Sequence, residues 1–217
     1  MKKEKRERYF PCEIRAVQND EGKSIIEGVP VVFEEHTLIW DYFDEVIKRG
    51  ALDKTDLKDV CLLVNHDSNR IALARTKNGK GTMSLSIQDD GLHFRAELDT
   101  ENNADARALY SAVKRGDMDG MSFAFSIADG GATWTDVENA KEPPYAYREV
   151  TDIAQIYEVS VVNWPAYEAT SVATRSREEK EISEHLKEIK EKEQRRKSLE
   201  SQALELERLK NINRSKI

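Results

Sequence analysis

The sequence predicts a mainly β fold with helices (α+β class): short antiparallel strands forming a closed or nearly closed barrel, surrounded by a few helices and followed by a charged helical tail. Three observations predict it. Short segments with alternating apolar residues are separated by Gly- and Asp-rich turns at hairpin spacing. One amphipathic helix, "NADARALYSAVKRG", interrupts them, and the composition changes abruptly after Thr174. Closure is expected because so many short strands would otherwise leave exposed edges.

In order, "YFPCEIRAVQ" and "SIIEGVPVVFEE" flank the turn "NDEGK", and Gly28 with Pro30 suggests a bulge or an edge in the second strand. "DYFDEVIKRGAL" reads as a short helix stopped by Gly50, and Val60–Val64 as a buried strand. "RIALARTKN", "GTMSLSIQDD" and "LHFRAELDT" read as a meander. The helix starting after Asn103 carries an apolar stripe of Ala106, Leu109, Tyr110 and Val113 and stops at Gly116. A strand, Met121–Ile127, follows directly. The segment from Asp129 to Pro144 reads as a polar loop, and two more strands, "YAYREVTDIA" and "QIYEVSVVNW", run to Pro165.

The chain divides by composition into a body, 1–174, and a tail, 175–217. The tail holds 13 basic and 10 acidic residues, which leaves 21 and 31 to the body, a balance of about −10. Such a body argues against a nucleic-acid partner, because phosphate binding depends on clustered cations. The tail lacks Gly and Pro, but its heptad of Ile182, Leu186 and Ile189 meets Glu193 and Arg196 before resuming at Leu199, Ala203 and Leu206. That pattern fits a long solvated helix or a weak, interrupted coiled coil. Cys12 and Cys61 are isolated and read as reduced core residues in a cytosolic setting. No apolar core follows the basic N-terminus and no stretch of 18 apolar residues occurs, so no signal peptide and no membrane partner are expected.

A serine becomes a nucleophile when a base takes its proton, usually a histidine held by a third group. Of four histidines, His36 reads as part of an acidic loop, His93 as a sheet residue and His185 as part of the charged tail. His66 differs: in "VCLLVNHDSNR" an apolar strand delivers it to the rim of the core, as catalytic groups are often presented, although an ordinary turn histidine would look the same. A metal site with Asp67 lacks a second histidine at ligand spacing. In "MSFAFSI", large Met121, Phe123, Phe125 and Ile127 alternate with small Ser122, Ala124 and Ser126. If the large face fills the barrel, Ser122 points outward, where small neighbours leave room for an extended peptide; a cross-sheet hydrogen bond is the plainer role for the same serine. Glu158 sits in "QIYEVSVVNW" on a face with Ile156, Ser160 and Val162, where a carboxylate needs a partner. His66 and Arg148 are the two candidates.

"NHD" ending an apolar strand, "GDMDGMSFAF" after a helix ending "VKRG", and the closing "YEVSVVNWPAYEAT" together resemble the prohead (capsid maturation) serine proteases of tailed phages, a family related in fold to the herpesvirus assemblins. The resemblance spans about Phe10 to Thr174. It implies a barrel with surrounding helices, His66 as base, Ser122 as nucleophile and an acidic third member, with no cofactor and no metal. Glu158 is the choice for that acid; Asp152 and Glu149 stay open, because strand register decides between them. It further implies cleavage, in the assembling procapsid within the host cytoplasm, of a scaffold protein or the scaffolding segment of the major capsid protein. It also implies self-cleavage. The tail fits a tether to the scaffold or a removable segment, although its mixed charge equally suits a plain solvated helix, and a homo-oligomer stays open. The rival readings are a non-catalytic assembly factor with the same barrel and a metal-dependent hydrolase using His66 and Asp67.

Overall fold

The computed structural model describes residues 14–39, 42–138, 140 and 142–163, together with positions 184, 187–188, 191–192, 194–199 and 201–202. The chain falls into two units, Met1–Thr174 and Arg175–Ile217.

Among the described residues of the first unit, twelve strands and one helix follow in order. These are β1 (Arg15–Gln18), β2 (Ser24–Val32), β3 (His36–Ile39), β4 (Phe43–Ile47), β5 (Cys61–Val64), β6 (Ala74–Arg75), β7 (Met83–Ile87) and β8 (Gly91–Leu98), then α1 (Ala104–Arg115), β9 (Gly120–Ile127), β10 (Ala132–Asp136), β11 (Ala146–Val150) and β12 (Ile153–Val162). They form three four-stranded sheets, ordered β1-β2-β8-β7, β10-β11-β4-β3 and β6-β5-β12-β9.

None of the sheets closes, so the expected closed or nearly closed barrel is incorrect, as is its ring of helices: α1 is the one α-helix among the described residues of this unit. Two physical reasons account for the difference. Five of the six outer strands are only two to five residues long, and short edges present little unpaired backbone, so closure is not needed to protect them. In addition, β4 pairs in parallel with β11 and β5 in parallel with β12, which brings together segments about a hundred residues apart. A meander inferred from local turns contains no such pairs.

Where the local chemistry was strong, the elements form as read. Asn19 Oδ1 accepts from the backbone N–H groups of Glu21 and Lys23 and shapes the β1–β2 turn. The register of β2 against β8 slips between Gly28 and Val31, the site of the expected bulge. Elsewhere pairing overrode local propensity. The segment read as a helix before Gly50 contains β4, which lies between β3 and β11 and buries Phe43, Val46 and Ile47. His36 begins β3 rather than lying in a loop, and the supposed loop after Asp129 contains β10, whose Trp134 packs edge-on against Phe43 at 4.9 Å.

The core centres on Ile26, Leu62, Leu92, Ile153, Ile156, Val159 and Val161, all fully buried, and α1 adds Ala106, Leu109 and Val113. Asn103 caps this helix by accepting from the N–H groups of Asp105 (2.9 Å) and Ala106 (3.2 Å), and Gly116 ends it at φ 75°, a left-handed conformation open to glycine. Asn103→Ala is expected to destabilise the fold by about 1 kcal/mol, read as a lower urea midpoint at unchanged slope. Four residues after this cap the chain enters β9, so α1 sets where the Ser122 strand begins.

Described positions of the second unit are helical, and Leu199, placed by the sequence in the resumed apolar stripe, is 66% exposed. His185, Ile182, Leu186, Ile189, Glu193, Ala203 and Leu206 lie outside the described residues, as do Cys12 and Pro165.

Candidate active site

The sheet β6-β5-β12-β9 carries the candidate residues. Buried Leu62 and Leu63 anchor β5, and the ladder extends one residue beyond it, where the Asn65 N–H donates to Val161 O at 3.0 Å. There the chain turns sharply: Asn65 (φ 52°) and His66 (φ 56°) are consecutive left-handed residues. For non-glycine residues this costs roughly 1–2 kcal/mol each, less for asparagine, and persists only where surrounding bonds enforce it. One such bond runs from the Asn163 N–H to Asn65 Oδ1 at 3.0 Å, joining the turn to the residue after β12.

The turn directs the His66 imidazole back over the sheet, where Nδ1 lies 2.5 Å from Glu158 Oε1; the two side chains are 15% and 8% exposed. The second carboxylate oxygen is occupied as well. The Ser160 hydroxyl donates to Glu158 Oε2 at 2.5 Å and accepts from the His66 backbone N–H at 3.1 Å. A charge as buried as Glu158 requires such partners. With Nδ1–H donating to the carboxylate, the imidazole presents a basic Nε2.

A bulge in β12 decides which face carries Glu158. Ile156 pairs with Phe125, but Glu158, two residues on, pairs with the adjacent Ala124, so Tyr157 is the extra residue. Upstream of it Ile156 shares the core face with Phe125. Downstream, Val159 and Val161 keep that face opposite Phe123 and Met121, while Glu158 and Ser160 share the other with Ala124 and Ser122. The expected grouping of Glu158 with Ile156 on one face is thus corrected.

Ser122 lies directly opposite Ser160, and residues so paired project to the same side of a sheet. The register therefore brings His66, Glu158, Ser160 and Ser122 to one face. The two serines differ in access: Ser160 is fully buried with its hydroxyl engaged twice, whereas Ser122 is half-buried and its hydroxyl makes no hydrogen bond among the described residues. Of the two, Ser122 is the one partly open to solvent. Cys61, opposite Glu158 on β5, does not compete as a nucleophile, since burial pushes its thiol above the ordinary value and keeps it protonated at neutral pH.

The other acids and histidines have different partners. Asp152 faces Lys54 at 3.8 Å and Glu149 faces Lys48 at 3.9 Å. Arg148 pairs with Glu45 at 2.9 Å in the sheet of β4 and β11, with its guanidinium over Trp134, so it is not the partner of Glu158. His36 meets Asp44 at 3.3 Å and His93 meets Asp90 at 2.8 Å on the surface. Among the described residues no three His, Cys, Asp or Glu side chains converge as a metal site, and the reading with Asp67 has no supporting geometry. Sequence reasoning passed over Ser160. Its signal was its place two residues from Glu158 on one strand, next to a carboxylate already known to need partners.

Residues 10–185 match the caudovirus prohead serine proteases. The chain belongs to that family. No curated protein and no solved structure matches it. As a prohead protease it is a serine peptidase of capsid maturation, acting in the assembling procapsid of the host cytoplasm on a capsid or scaffold protein. No helix among the described residues is long and apolar enough to cross a membrane.

Proposed function

We propose that this prohead protease works through a Ser122–His66–Glu158 triad, releasing a scaffold protein or the scaffolding segment of the major capsid protein and cleaving itself. The observation carrying this reading is the 2.5 Å bond between His66 Nδ1 and Glu158 Oε1 on the face that Ser122 shares through its pairing with Ser160. His66 Nε2 takes the Ser122 proton as Oγ attacks the scissile carbonyl carbon, and the resulting imidazolium is stabilised by Glu158. Collapse of the tetrahedral intermediate breaks the C–N bond and returns the proton to the departing amine. Water then repeats the sequence on the acyl-enzyme and frees Ser122. Apo sites commonly hold nucleophile and base further apart than in the working complex, so the unbonded Ser122 hydroxyl is compatible with this role.

Substrate fits as an extended segment along β9. That strand is eight residues long and among the described residues pairs on one side only, with β12, and its small face leaves space beside Ser122. A non-catalytic assembly factor would not need a buried carboxylate held against an imidazole, an arrangement that costs desolvation without aiding assembly.

The test is covalent labelling with a fluorophosphonate probe followed by peptide mass mapping. Adduct is expected on Ser122 alone, and absent from His66→Ala. Labelling on another serine, or none in a preparation that cleaves its capsid protein, contradicts the assignment. Mass measurement of this chain, alone and with Ser122→Ala, tests self-cleavage: new termini are expected only with Ser122 intact.

A further inference from the structure

We propose that Ser160 is a positioning residue of this site, a hydroxyl that fixes both the base and the acid while remaining out of the substrate's reach; the inference rests on the triad reading above. Three bonds form a closed circuit. His66 Nδ1 meets Glu158 Oε1, Glu158 Oε2 accepts from Ser160 Oγ, and Ser160 Oγ accepts from the His66 backbone N–H. The hydroxyl uses its proton on the acid and a lone pair on the histidine.

Each bond constrains a different freedom. A carboxylate held at one oxygen can rotate about its terminal torsion, which is broad; a second donor on Oε2 fixes its plane and so the direction in which Oε1 meets the imidazole. The bond to the His66 N–H holds the peptide of a left-handed residue, from which the ring departs. Ser160 can do both because it is fully buried on β12, with Leu63 of β5 opposite it on one side and Ser122 of β9 on the other. A serine with only a packing role would satisfy its hydroxyl on a nearby carbonyl; here both partners belong to the proposed triad.

Ser160→Ala is expected to lower kcat roughly ten- to a hundredfold, the effect of losing one hydrogen bond to a charged group, with KM near wild type because no substrate contact is removed. Ser160→Thr, which keeps the hydroxyl, should recover much of the rate. In the inactive Ser122→Ala background, the downfield proton resonance of His66 Nδ1–H should shift or broaden when Ser160→Ala is added, a response that loss of packing elsewhere would not produce. Ser160→Cys, close in size but a poor donor, serves as the second variant should alanine impair folding, and should resemble alanine in rate.

Wild-type kcat with an unchanged resonance in either Ser160→Ala or Ser160→Cys overturns the proposal. So does a rate loss accompanied by an equal loss in Ser160→Thr and no change in the resonance. Failure of the triad reading is separately visible: Ser122→Ala would then still cleave, whereas an inactive Ser122→Ala beside a fully active Ser160→Ala refutes the positioning role alone.

Discussion

Ser122→Ala is expected to end processing of the capsid or scaffold protein, with kcat falling on the order of a millionfold, as when the nucleophile of an interdependent triad is removed. The site is half-buried and the hydroxyl unbonded among the described residues, so the fold should lose no more than about 0.5 kcal/mol. The informative control is Ser126→Ala on the same face of β9, whose hydroxyl bonds Tyr157 Oη at 3.2 Å. It should leave the rate within a few-fold of wild type. Electrophoresis and mass spectrometry of the co-expressed substrate read both. Wild-type processing by Ser122→Ala, or an equal loss in Ser126→Ala, would remove Ser122 from the mechanism.

Glu158→Gln has the second-largest expected effect, about ten thousandfold in kcat. The amide matches the carboxylate in size, so packing around Ile156 and Val159 persists, but it turns an acceptor of two hydrogen bonds into a group that is half donor. With its nitrogen toward His66 it forces the proton onto Nε2, and the base can no longer receive one from Ser122. The substitution also removes the charge that stabilises the imidazolium. Glu158→Asp, one methylene short, should fall between the two. Asp152→Asn and Glu149→Gln should stay within a few-fold of wild type, because those carboxylates face Lys54 and Lys48. A severe loss in either, with Glu158→Gln active, would transfer the acid role.

His66→Ala is a less clean probe of the same pair. It strips the imidazole from a carboxylate only 8% exposed, so lost activity would be mixed with the cost of an unpaired buried charge.

Local chemistry made some features legible in advance. The cap at Asn103, the stop at Gly116 and the irregularity at Gly28 each arise within a few residues of the position that shows them. His66 was legible for a similar reason, since an apolar run ending in polar residues marks the point where a buried strand reaches the surface. Glu158 stood out because a carboxylate in an apolar strand needs a partner, and Ser122 because small residues shared its side of β9. The division into three open sheets in place of the expected barrel was not legible, nor were β3, β4 and β10, because the pairing of β4 with β11 depends on sequence far away. A strand sandwiched between two others can form from residues with helical propensity when burial of Phe43, Val46 and Ile47 outweighs it.

The sequence alone determined the chemical types available and the ends at which they stand: an imidazole after β5, a small hydroxyl early in β9 and an acid within β12. Which acid meets the imidazole was decided by tertiary structure. The parallel pairing of β5 with β12 sets the depth, two left-handed residues reverse the histidine, and one extra residue at Tyr157 turns Glu158 and Ser160 to the face of Ser122. The reason is geometric. A strand alternates faces every residue, so a single bulge inverts every side chain beyond it, and a bulge is visible only against the partner strand whose count it breaks.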